Sequence, residues 1–136
     1  MRAVLDPNVV ISALLSSQGT PARILRDWEQ GTFELIISPL LLDELERALT
    51  YPKLRRHIPA EEATAVLQWL TDSATMLADP IQEPPVRSHD RGDDYLISLA
   101  AAARAILISG DKHLLDLSHQ IPVFAPPRFL ETNRAQ

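Results

Sequence analysis

Two short aliphatic runs in this chain each end in a polar residue followed at once by proline: Arg2–Leu5 before Asp6-Pro7, and Phe33–Ile37 before Ser38-Pro39. Each reads as a strand running directly into a helix. Asp or Ser caps the first turn, and proline at the first helical position gives up an N–H that would have no partner there. The same grammar continues along the chain. The first helix runs to about Leu15, and Thr20-Pro21 opens a second that reaches about Gln30 and closes at Gly31. A third spans Pro39–Leu49 and stops at Tyr51-Pro52, since the residue before proline is pushed out of the α region. A short basic helix follows, then a helix over Glu61–Ser73, a third strand at Met76–Ala78, and a proline-rich loop over Asp79–Asp90. Asp93 or Asp94 is expected to cap an alanine-rich helix to Ala103, ahead of strands at Ile106–Ser109 and Pro122–Phe124. Gly110 marks a turn, Lys112–Leu117 a short helix and Pro126–Leu130 a last helical turn.

Strands that alternate with helices imply an α/β domain, with a mainly parallel sheet covered on both faces. The 136 residues fit one domain and show no internal repeat. In such sheets ligands bind at the carboxyl ends of the strands, so the residues directly after each strand carry the functional information.

Composition narrows the chemistry. With no cysteine, thiolate metal sites, disulfides and cysteine nucleophiles are excluded, and any metal must be held by oxygen or imidazole. The longest apolar run, Val9–Leu15, is far short of a bilayer span, and the N-terminus lacks the pattern of a signal peptide, so a cytoplasmic protein is expected. A net charge of −5 argues against a broad nucleic-acid footprint, but Arg47, Lys53, Arg55 and Arg56 form a local basic patch. A run of this kind reads equally as a solvated helix face. His57, His89, His113 and His119 show no ligand-pair spacing, and Trp28 and Trp69 fit packing roles on their helices.

Acidic residues follow the strands. Asp6 comes after the first, Asp111 just after the fourth, and Asp93 and Asp94 open the helix leading into the fourth. Taken singly, each is explained by helix capping. Glu44, one turn into the third helix, flanks the apolar stripe of Leu41, Leu45, Ala48 and Leu49, whereas Asp43 points nearly opposite. Taken together, these acids would gather on one side of a parallel sheet and repel each other unless a cation were present. Hard divalent cations suit such oxygen ligands, and the chemistry they support is attack of water on a phosphodiester.

The chain resembles the PIN-domain nucleases. Leu5-Asp6-Pro7-Asn8 and the helix after it are similar to the family's opening motif, and Ser38-Pro39 with Leu42-Asp43-Glu44-Leu45 is similar to its second. Asp90-Arg91-Gly92-Asp93-Asp94 and Ile108-Ser109-Gly110-Asp111-Lys112 resemble the third and fourth, and Pro127-Arg128-Phe129-Leu130-Glu131 the tail of a subgroup described as toxins of toxin–antitoxin systems, related to VapC. The resemblance implies a three-layer α/β/α domain with Mg²⁺- or Mn²⁺-dependent endoribonuclease activity, an RNA substrate, a protein antitoxin as partner and a homodimer. By position, Asp6, Glu44, Asp111 and either Asp93 or Asp94 match the acidic quartet, with the spacing to Asp111 favouring Asp93. Asn8 and Ser109 match the residues that support it, and the basic patch would hold RNA. Pro7 and Arg91-Gly92 depart from the usual motifs. A haloacid-dehalogenase-type phosphatase would need a second aspartate where Asn8 stands, and a receiver domain would need one after its central strand. The remaining alternative is a PIN fold without activity, acting as a binding module.

Overall fold

The computed structural model describes residues 1–134. Its centre is a five-stranded, wholly parallel sheet in the order β3-β2-β1-β4-β5, formed by β1 (Arg2–Leu5), β2 (Glu34–Ile37), β3 (Thr75–Met76), β4 (Ile106–Ile108) and β5 (Val123–Phe124). The register sets Ala3 beside Leu35 and Ile106, and Leu5 beside Ile108. From β1 the chain first moves outward through β2 to β3, then crosses back to place β4 on the other side of β1. Parallel crossovers are right-handed, so this reversal puts the helices between β1 and β3 over one face and those between β3 and β5 over the other. The inner strands β1 and β2 are buried from both sides, which is why Ala3, Val4, Leu5, Leu35, Ile36 and Ile37 form continuous apolar runs without alternation.

On the first face lie α1 (Pro7–Leu15), α2 (Thr20–Glu29), α3 (Pro39–Ala48), α4 (Pro52–Arg55) and α5 (Ala60–Ser73). Trp28 of α2 meets Trp69 of α5 with ring centroids 4.7 Å apart, the packing role expected for both. On the second face α6 (Asp94–Ala103) packs against β1 and β4. The chain continues through α7 (Lys112–Leu115) to α8 (Pro126–Arg134), which returns to α2. The helix ends follow the expected chemistry in three places. Asp6 accepts the Asn8 N–H at 3.0 Å, Ser38 accepts that of Leu41 at 3.3 Å, and Asp111 accepts that of His113 at 2.8 Å. Gly31, at φ +83°, ends α2 in the left-handed turn that glycine alone adopts without strain.

Two expectations about local structure are corrected. The third strand is an edge of two residues, Thr75 and Met76, fixed by pairing with Ile36 and Ile37. Asp93 stands at the N-cap position of the alanine-rich helix, but its side chain makes no capping bond there. Asp90 does the capping, accepting the Gly92 N–H at 2.9 Å and starting a 3₁₀ turn over Arg91–Asp93 that runs straight into α6. A tight turn ahead of the helix supplies the first bonds, so the two following aspartates are released from capping.

Candidate active site

The reversal of strand order opens a crevice between the carboxyl ends of β1 and β4, the place where open α/β sheets bind ligands. Asp6 leaves β1 there and is 4% exposed. Its Oδ1 is held by the Asn8 N–H and its Oδ2 by the hydroxyl of Ser109, 2.8 Å away at the end of β4. Ser109, wholly buried, also accepts the backbone N–H of Asp111 at 3.0 Å. The capping and clustering readings of Asp6 and Asp111 are therefore compatible, because the caps fix the two carboxylates in place at the mouth of the sheet. Burial raises the Asp6 pKa; the bonds from Asn8 and Ser109 lower it, and the charge of Asp111 raises it again.

Asp93 comes in from the start of α6. Its Oδ2 is buried with no hydrogen-bond partner among the described residues. Burial first, then the charges of Asp6, Asp90 and Asp111, push its carboxyl up to about 7. Asp94, the adjacent possibility, is turned away from the cluster: its Oδ1 accepts the Ser88 N–H at 2.8 Å and its Oδ2 pairs with Arg87 at 3.1 Å. As consecutive residues at a helix start, the two point in different directions, and Asp94 is spent on tying down the proline-rich loop. Both of its carboxylate oxygens are thus engaged within the loop.

Glu44 and Asp43 divide as the helical face requires, Asp43 exposed and Glu44 half-buried. Glu44 lines a cleft of about 250 Å³ together with Asp6, Asn8, Arg47, Tyr51 and Asp93. The Tyr95 hydroxyl donates to Glu44 Oε2. Burial, that bond, and the charges of Glu44, Asp6 and Asp93 all raise the Tyr95 pKa, so the phenol remains a proton donor. Asn8 contributes through its backbone N–H rather than its amide. Of the basic patch, Arg47 lies on the cleft, whereas Lys53, Arg55 and Arg56 sit beyond it on and just after α4. Pro7 is harmless to this geometry, since it occupies the first position of α1, where no intrahelical partner awaits an N–H. Gly110 has no positive φ and open space where a Cβ would stand, so the turn does not demand glycine.

Among the described residues no three acid or imidazole side chains stand as a finished coordination sphere. The donor set still fits a divalent cation: several hard oxygen donors, one buried and unpartnered, in mutual repulsion that a positive charge would relieve.

Residues 2–113 match the PIN domain family. The chain belongs to that family. PIN domains are generally nucleases. This one is 31% identical over 117 residues to the uncharacterized protein MJ1680 of Methanocaldococcus jannaschii, an overlap of 86% of this chain and 75% of that protein. Its fold also matches a chain in the crystal structure of VapBC2 from Rickettsia felis bound to a DNA fragment from their promoter. There the TM-score is 0.58 at 16% identity, with 92% of this chain and 98% of that chain covered. No helix among the described residues of this PIN domain is long and apolar enough to cross a membrane.

Five further residues stand at or beside the site without having been candidates from local sequence pattern. Asp90 was taken as loop, yet its charge bears on Asp93. Tyr95 is the aromatic hydroxyl in an otherwise aliphatic α6, which is the signal that could have found it. Tyr51 was taken only as a helix stop. His89 and His113, with no spacing in common, stack with centroids 5.0 Å apart beside the site.

Proposed function

We propose that this PIN domain is a divalent-metal-dependent endoribonuclease and the toxin of a toxin–antitoxin pair acting in the cytoplasm. The observation that carries the reading is the buried, unpartnered Asp93 Oδ2 facing Asp6 and Asp111 at the crevice between β1 and β4. Asp6, Asp93 and Asp111 would hold the cation, Mg²⁺ or Mn²⁺, with Glu44 on the adjoining wall. The chemistry such a cation would supply, when bound, is polarisation of the phosphodiester and activation of water at neutral pH. Ser109 keeps Asp6 and the Asp111 backbone in fixed relation, which would limit the rearrangement that binding needs. Glu44, held through Oε2 by Tyr95, has Oε1 unclaimed by any hydrogen bond among the described residues and would take up the proton of the attacking water. Arg47 would hold backbone phosphate beside the acids, with Lys53, Arg55 and Arg56 further along the strand.

The toxin role is supported by likeness of fold to a chain of the R. felis VapBC2 assembly, and a protein antitoxin is accordingly the partner proposed. A homodimer belongs to the same reading. The test is incubation of a mixed RNA pool with the protein in Mn²⁺ and in EDTA, followed by mapping of the cut ends. Discrete internal cuts in Mn²⁺, absent in EDTA and with Asp93→Asn, are expected. Intact RNA under every condition would refute the activity.

A further inference from the structure

One wall of the cleft carries a side chain that cation chemistry does not use. Tyr51 lies between α3 and α4, is 55% exposed, and lines the same cleft as Asp6, Glu44, Arg47 and Asp93. Among the described residues its ring stacks on no other ring and its hydroxyl makes no hydrogen bond. Its backbone is nevertheless well fixed. The Tyr51 N–H donates to the Ala48 carbonyl at 3.1 Å, and Pro52 confines Tyr51 to an extended conformation at φ −63°, ψ 135°. A rigidly mounted aromatic face is thus left facing water at the edge of a carboxylate cleft. Arg47, one turn earlier on α3, is exposed and paired with no carboxylate among the described residues. A π face beside a free guanidinium is the combination that grips an unpaired nucleotide, the ring taking the base and the cation its phosphate.

We propose that Tyr51 is a stacking seat for an unpaired base next to the scissile phosphate, with Arg47 on the adjoining phosphate. This rests on the ribonuclease reading above. In a duplex each base is already stacked on both faces, and the narrow major groove hides its edges, so Tyr51 has no free face to meet. A cleft of about 250 Å³ has room for one nucleotide's phosphate and sugar, not for a helix. Stacking carries little sequence information, so the seat sets strandedness and leaves base choice to other contacts.

The test uses a short RNA carrying 2-aminopurine, alone and annealed to its complement, titrated with the full chain in Ca²⁺ as a non-cleaving cation. The single strand should bind more tightly than the duplex, with quenching of the 2-aminopurine. Tyr51→Ala should weaken single-strand binding about tenfold and abolish the quenching, with an unchanged slope of log affinity against log salt, since stacking releases no counterions. Tyr51→Phe should keep both signals. Arg47→Ala should lower the slope by roughly 0.7. Equal affinity for duplex, a silent Tyr51→Ala, or a Tyr51→Phe as weak as the alanine variant would each overturn the seat. So would a lowered melting temperature of Tyr51→Ala in EDTA, which would assign the ring to packing. Failure of the ribonuclease reading looks different: the wild type would then neither bind the single strand nor cut it in Mn²⁺, and both proposals would fall.

Discussion

The hydroxyl of Ser109 joins two acids that stand on different strand ends, donating to Asp6 Oδ2 at 2.8 Å while accepting the Asp111 N–H at 3.0 Å. Removing it leaves a buried carboxylate oxygen and a backbone donor without partners. Ser109→Ala should lose about 1–3 kcal/mol of stability and bind Mn²⁺ roughly 10- to 100-fold more weakly. Thermal melts in EDTA and calorimetric titration with Mn²⁺ measure the two effects. Unchanged Mn²⁺ affinity would mean that the hydroxyl serves folding alone.

The crowding at Asp93 has a pH signature. Burial and the charges of Asp6, Asp90 and Asp111 raise its carboxyl from 3.8 to about 7, and Asp6 is shifted in the same direction. A raised pKa means that the folded state holds the proton more tightly than the unfolded chain. The stabilisation is therefore full at low pH and is lost as pH rises through the folded value. In EDTA the melting temperature should fall between about pH 4 and about pH 7, and Asp93→Asn should flatten most of that fall. Mn²⁺ should act oppositely, raising the melting temperature more as the ligands lose their protons. A melting profile in EDTA that is level across this window would contradict the crowding.

The neighbouring aspartates should respond in opposite senses. Asp93→Asn removes a repelled charge, so the protein in EDTA should be at least as stable as wild type while the RNA cleavage rate falls by two orders of magnitude or more. Asp94→Asn weakens the hold on Arg87 and the Ser88 N–H, and should cost about 1–2 kcal/mol with a much smaller loss of rate. Equal kinetic damage from both would place Asp94 at the cation after all.

On α3 and α6 the contrast is between a residue that is tethered and one that is not. Glu44→Ala should depress cleavage strongly and Asp43→Ala hardly at all. Tyr95→Phe, which keeps the ring and removes the donor to Glu44, should reduce the rate about tenfold, a loss typical of one charge-assisted hydrogen bond. Its pH–rate profile should also shift on the side set by the general base, which a packing change alone would not do. An unshifted profile at full rate would remove Tyr95 from the positioning of Glu44.

Arg104 ends α6 at φ 54°, ψ 46°, a left-handed conformation unfavourable for any residue with a Cβ. The cap is otherwise well made, with Ala105 N–H donating to the Ala100 carbonyl at 2.8 Å. Arg104→Gly should stabilise the fold by about 0.5–1 kcal/mol, the relief of left-handed strain less the extra chain entropy of glycine. Urea unfolding checks this, and no gain would show that Arg104 is compensated by contacts of its side chain.

Legibility from sequence followed the range of the forces involved. Asp6, Ser38 and Asp111 could be located because a cap is a contact between residues two or three apart. Glu44 could be told from Asp43 because helical periodicity is regular. Asp93 and Asp94 are adjacent and carry no local pattern that tells them apart, since their directions depend on Arg87 and Ser88 in an irregular loop and on the 3₁₀ turn that Asp90 initiates. The pairing of Tyr95 with Glu44 and the stacking of His89 on His113 join segments far apart in the chain, and no local pattern encodes them. The two-residue β3 escaped definition for a related reason: its extent is set by where β2 offers hydrogen bonds.

The pairing of β1 with β4 also bears on how the chain is made. Asp6 leaves the ribosome 103 residues before the hydroxyl that orients it, which comes on a strand that must add along the open edge of β1. Contacts this distant form late, after the cost of closing a long loop. A nascent chain stopped before Ile106 has an open edge along β1, no Ser109 and no Asp111. The meeting of Asp6 with Asp111 through Ser109 therefore waits until β4 and the turn after it have been made, and fragments released before then lack it too.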